Sequence, residues 1–255
     1  MVLGEESSPT AGAGGALATL FFTLALVPAL LVYNLFLLTS PPVAQPLAAF
    51  VIGEVSQIDG VVAQVRTQLE SSPRPEDPFL VPDFPLEVWL EPQEAASKTP
   101  IQLRDYILHE AAGGVYQGRL SSPSGRDAVA SKNPVFWSLA GILSYQGHRF
   151  LGRVLLWVSA VAAFLGLAVI VLEPGWGKSL GVGFTLASFP LLALSVLGGW
   201  RVAALAQGQE DAFLAAMLKA VSIILYHTGW NYLLFLGLGV GLYLVGYLAP
   251  RWRLR

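Results

Sequence analysis

The sequence predicts an all-α integral membrane protein with about four transmembrane helices and a mainly helical hydrophilic domain inserted between helices one and two. Three observations carry this reading. Hydrophobic residues make up 54% of the chain and charged residues only 13%, about half the roughly 25% charge of soluble domains. The charges are gathered in the middle of the chain, and long runs on either side have none. Several of these runs reach the ~20 apolar residues a helix needs to cross ~30 Å of hydrocarbon at ~1.5 Å per residue.

Composition also excludes some functions. A net charge of −2 offers no basic footprint for nucleic acid. The absence of cysteine removes disulfide scaffolds, thiolate metal sites, iron–sulfur clusters and thiol redox chemistry. No Walker loop, dinucleotide fingerprint or nucleophile elbow is present.

Residues 1–15 are expected to be a flexible leader. They carry Glu5 and Glu6 but no Lys or Arg, unlike a secretory signal, so the first span (16–39) is expected to be an uncleaved anchor. The second span (150–173) has Arg153 in its first turn, where the side chain can snorkel to the headgroups. The third (179–201) ends at Arg201 and contains Pro190, and the first contains Pro28; both prolines are expected to kink their helices. Residues 173–178, rich in turn formers, should make spans two and three antiparallel neighbours. The fourth span (230–250) opens on Trp230, Asn231 and Tyr232 and is followed by a basic tail (251–255) with Arg251, Arg253 and Arg255. Aromatics and arginines at helix ends are interfacial anchors.

Residues 211–227 are apolar but short, with Lys219 at their centre. Asp211, Lys219, Ser222 and Tyr226 form a narrow polar stripe, and Asp211 is placed as an N-cap. An interfacial or re-entrant helix is expected here.

Within the hydrophilic segment (40–149), apolar residues from Leu47 to Leu69 recur at helical spacing, predicting one amphipathic helix that Gly53 and Gly60 weaken. Leu86, Val88 and Leu90 alternate with polar neighbours or Trp89, as in a short strand with one dry face. Thr99-Pro100-Ile101-Gln102 is a capping box that starts a second helix, which Gly113-Gly114 should end. A third helix is expected from Asn133-Pro134 through Leu143.

An even number of spans puts both termini on one side. Lys178 and the three terminal arginines lie on that side, against Arg149, Arg153, Arg201 and Lys219 on the other. The terminal cluster is the densest in the chain, and residues 54–127 hold twelve acids against six bases. The termini are therefore expected in the cytoplasm and the hydrophilic domain outside.

The candidate site residues lie at helix ends. His148 precedes span two and His227 precedes span four; with neighbouring Arg149, Arg153, Arg201 and Asp211 they are candidates for binding a lipid headgroup or ligand. The histidines are also catalytic candidates, or ligands to a metal or b-type haem, although no cofactor is the leading expectation. Arginine and histidine are equally ordinary interfacial residues. His109-Glu110 lacks the second histidine of a zinc-protease helix and reads as a solvated face. Asn34 is placed to hydrogen-bond another helix, and Gly237, Gly241, Ala162 and Gly166 are placed as helix-packing faces. The leading expectation is a non-catalytic accessory or assembly component in the bilayer with a protein partner or a second copy of itself. The alternatives are a membrane-interface enzyme or lipid-binding protein, and a channel or transporter subunit.

Overall fold

The computed structural model describes residues 9–56, 58–71, 77–84, 86–118, 141–210 and 212–252. The elements in chain order are α1 (Pro9–Leu38), α2 (Pro41–Val55), α3 (Ile58–Ser71), β1 (Phe79–Leu80), β2 (Trp89–Leu90), α4 (Pro92–Ser97), α5 (Pro100–Gln117), α6 (Tyr145–Leu172), α7 (Trp176–Gln207) and α8 (Ala212–Trp252). The architecture is all-α apart from the short antiparallel pair β1–β2. Among the described residues, four helices are long and apolar enough to cross a membrane: Ala13–Leu38 within α1, the whole of α6 and α7, and Leu214–Leu248 within α8. By composition this is a multi-pass membrane protein. The pair α2–α3 passes the same length-and-composition test only as a broken span bent by 88°.

The chain divides into two compact units. One combines residues 1–36, 151–201 and 222–255. Its interior is built by small residues. A β-carbon added to Gly181 of α7 would come within 2.5 Å of the Tyr243 backbone nitrogen and 2.7 Å of the Gly239 carbonyl oxygen on α8. One added to Gly246 would meet the Lys178 nitrogen at 2.5 Å, and one on Gly177 would meet the Gly246 Cα at 3.1 Å. Here α7 and α8 touch backbone to backbone. Phe22 of α1, 4% exposed, fills a notch left by two further glycines: added β-carbons on Gly183 and Gly166 would meet its ring at 2.7 and 3.3 Å. Its ring packs edge-on against Phe184 at 5.7 Å. Around it, Leu26, Leu30, Val169, Ala187 and Leu191 complete the buried cluster.

A polar contact crosses this apolar interior. Asn34 is 2% exposed. Its Nδ2 donates to the Leu30 carbonyl at 2.9 Å, and its Oδ1 accepts from Asn231 Nδ2 at 2.7 Å. Tyr232, next to Asn231, is buried as well. Each such interhelical bond is worth about 0.6–2 kcal/mol in a membrane.

The other unit comprises residues 37–150 and 202–221, so it takes in a second segment beyond the 40–149 expected from sequence. Val65, Leu90, Leu103 and Ile107 are fully buried at its centre. Leu86, Val88 and Leu90 face inward while Glu87 and Trp89 face out, as the alternation predicts. The Thr99 capping box is formed: Gln102 N–H donates to Thr99 Oγ1 at 3.4 Å and Thr99 N–H to Gln102 Oε1 at 3.0 Å. Glu94 accepts from Lys98 at 3.0 Å and from the Tyr106 hydroxyl at 3.1 Å. These partners, Lys98 first, hold its carboxyl below the ordinary value near 4.5. Burial, followed by the Glu94 contact, pushes the Tyr106 phenol up to about 12.

Four expectations are corrected. The single helix over 47–69 is two, α2 and α3, broken at Ser56; the turn buries Ile52 from one helix and Ile58 from the other in one cluster. Gly113-Gly114 do not end α5, which runs to Gln117 and stops at Gly118 with φ +71°, the left-handed conformation that favours glycine. Ala111, Ala112, Val115 and Tyr116 are buried on both sides of the glycine pair, and this burial carries the helix through it. The separate helix over 211–227 and the fourth span are one 41-residue helix, α8. Its N-terminal part, through residue 221, belongs to the second unit. No proline interrupts it before Pro250; of the expected polar stripe, Ser222 is buried and Tyr226 exposed. The leader expected to be flexible over 1–15 is helical from Pro9, where α1 begins. The expected helix from Asn133 lies almost entirely outside the described residues.

Two outcomes follow. Gly181→Leu should destabilise the detergent-solubilised protein by about 1–3 kcal/mol through overpacking, whereas Gly241→Leu, at an open position, should stay within about 0.5 kcal/mol. Thermal unfolding followed by circular dichroism separates them. The Glu94 contribution should be fully present above pH 4.5 and fade as pH falls through the lowered folded value, because the unfolded chain then binds the extra proton. Melting curves at descending pH should show this extra acid sensitivity in the native chain and not in Glu94→Gln.

Candidate functional site

The prolines of α2 and the charges of α5 frame an open recess. Pro41 and Pro42 occupy the first turn of α2, where a missing N–H costs nothing. Pro46 lies one turn on. Two observations set the helices antiparallel: Gly53 faces Leu108, whose Cδ1 would lie 3.2 Å from an added β-carbon, and the Tyr116 hydroxyl donates to the Thr39 carbonyl at 3.1 Å. The shallow side chains of α2 leave an open cleft of about 760 Å³ between α2 and α5.

The cleft has two chemically distinct ends. Pro41, Pro42, Gln45 and Pro46 line the end joined by two residues to α1. Ala49, Phe50 and Leu108 form the middle. Glu54, Arg104 and Asp105 gather at the far end, and His109 sits one helical turn after Asp105. Lys219 Nζ stands 5.2 Å over the Phe50 ring, a cation–π contact at the cleft's aromatic wall. Arg104 also reaches Asp59, at a loose 3.8 Å. The arrangement presents both signs of charge beside an apolar trough.

A smaller polar cluster lies at the start of α6. Thr39, 1% exposed, has its Oγ1 3.1 Å from His148 Nδ1. Tyr116 packs edge-on against Tyr145 at 6.5 Å, and Arg149 stands 5.8 Å over the Tyr145 ring. Burial first, then the neighbouring Tyr145, raises the Tyr116 phenol above its ordinary value. This cluster ties together the chain on either side of α2, α5 and α6.

Of the residues singled out by sequence, His148 and Arg149 belong to the second unit, and His227, Arg153 and Arg201 to the first. His227, Arg153 and Arg201 are exposed; Arg201 stands 6.0 Å over the Trp200 ring. Asp211 lies outside the described residues. Among the described residues no group of three or more His, Asp or Glu side chains is arranged to hold a metal ion. Ala162 and Gly166 are buried, and Gly166 abuts Phe22. Gly237 and Gly241 face open space; the packing face of α8 is the other one, through Gly239 and Gly246.

The cleft was missed by sequence reasoning. His109 reads locally as a solvated residue, and its exposure fits that. What it lines depends on α2, sixty residues away, and no local pattern reports that. The available signal was the proline spacing in α2 beside the Asp105/His109 pair four residues apart.

Searches of protein-family models, curated proteins and solved structures return no match to this chain.

Proposed function

We propose that this chain is a non-catalytic accessory component of a membrane: a four-span bundle that anchors a small, mainly helical domain, with the α2/α5 cleft as the domain's binding face. The cleft carries the reading. It is an open recess of about 760 Å³, within the roughly 300–1,000 Å³ of ordinary ligand sites, and its polar groups point to recognition rather than to a catalytic pair. The open Gly237/Gly241 face of α8 is a second contact surface, for a protein partner or another copy within the bilayer. The termini lie in the cytoplasm and the domain on the opposite side, supported by the terminal arginines and by the domain's excess of acids.

Purification of the full chain in mild detergent should bring down a stoichiometric companion, a protein or a small amphiphile, and Glu54→Lys should release it; a chain that carries neither contradicts the reading. Because the chain has no cysteine, orientation can be read without background. A membrane-impermeant maleimide added to intact cells should label Glu70→Cys and spare Gly175→Cys. The reverse pattern would invert the topology.

A further inference from the structure

The cleft is asymmetric in a way that selects its occupant. Helix α2 joins α1 through only Thr39 and Ser40, so the proline-lined end lies at the chain's exit from its first span. From Pro41 to Glu54 the wall runs 13 residues, about 20 Å at ~1.5 Å per residue. Along that length the lining changes from proline, alanine, Phe50 and Leu108 to Glu54, Arg104 and Asp105. The trough is apolar at one end and charged with both signs at the other. Lys219 is engaged over the Phe50 ring and His109 lies one turn beyond Asp105, so the charged end itself is Glu54, Asp105 and Arg104: a purely anionic head would meet the two carboxylates, and a purely cationic head would meet Arg104. A head bearing one phosphate and one ammonium matches all three, because guanidinium pairs with phosphate oxygens in a fork and carboxylates accept from ammonium.

We propose that the α2/α5 cleft binds a single-chain zwitterionic amphiphile. Its alkyl chain lies along Pro46, Ala49, Phe50 and Leu108, its phosphate meets Arg104, and its ammonium meets Glu54 and Asp105. The inference rests on the reading above that this cleft is the binding face, and it names the ligand class. A peptide of mixed character is the competing occupant. It is disfavoured because a peptide's charges would need one fixed sequence, while the head and chain of an amphiphile match the two ends of the trough directly.

The test uses the full chain reconstituted in lipid nanodiscs, with a lysophosphatidylethanolamine bearing a diazirine in its alkyl chain. After irradiation, adducts are mapped by mass spectrometry. The expected result is labelling within residues 41–50, reduced at least fivefold by Ala49→Trp, which fills the trough, and by Glu54→Lys, an exposed change that leaves the core intact. The matching lysophosphatidic acid probe, which lacks the ammonium, should label these residues at least fivefold less. Labelling confined to the spans, or labelling unaffected by Glu54→Lys, overturns the proposal. So does equal labelling by the two probes. Protein gels of the same preparations separate the two levels of the argument. A protein companion that Glu54→Lys releases, with no adduct in 41–50, removes the amphiphile and leaves the binding face standing. Neither companion nor adduct removes both.

Discussion

The membrane-embedded unit depends on the absence of side chains at a few positions. Lipid tails are as apolar as leucine, so burial from water gives spans little reason to associate. Close van der Waals contact must do it instead, and at ~0.1–0.2 kcal/mol per atom pair this needs many atoms at optimal distance. Gly177 and Gly181 on α7, and Gly239 and Gly246 on α8, permit that contact by letting the two backbones meet. The same logic seats Phe22: its ring occupies the volume that Gly166 and Gly183 leave vacant. The Asn34–Asn231 hydrogen bond then adds what close packing lacks, a directional contact that favours one register, since an amide unpaired in hydrocarbon is costly.

The second unit follows the opposite rule. Its centre is an ordinary water-excluded core of branched and aliphatic residues, with Val65, Leu90, Leu103 and Ile107 fully buried. Its helices are punctuated as soluble helices are, by a capping box at Thr99 and a left-handed glycine at Gly118. Its charged groups sit on the surface in short networks such as Glu94–Lys98–Tyr106. The cleft arises in this unit because α2 presents prolines and alanine where longer side chains would have closed the gap to α5.

Much of the fold was legible in the sequence, because its causes are local. Long charge-free runs mark the four apolar helices, the 2-residue alternation marks the Leu86–Leu90 face, and Thr99-x-x-Gln102 marks the start of α5. What was misread depended on distant partners. The bend at Ser56 and the passage of α5 through Gly113-Gly114 are decided by the core they serve, which overrides local helix propensity. On α8, both Gly237/Gly241 and Gly239/Gly246 are visible in sequence, but which face meets α7 depends on the phase of the crossing.

The backbone-to-backbone crossing of α7 and α8 is the contact on which the membrane unit most depends, and cross-linking reads it directly. Lys178 Nζ stands 5.2 Å over the Tyr247 ring at its end. In a chain with no native cysteine, Lys178→Cys combined with Tyr247→Cys should form an intramolecular disulfide rapidly in intact membranes under mild oxidant. Moving the second cysteine to Gly241, on the open face, should prevent it. Equal cross-linking of both pairs, or of neither, would contradict the crossing and the packing built upon it.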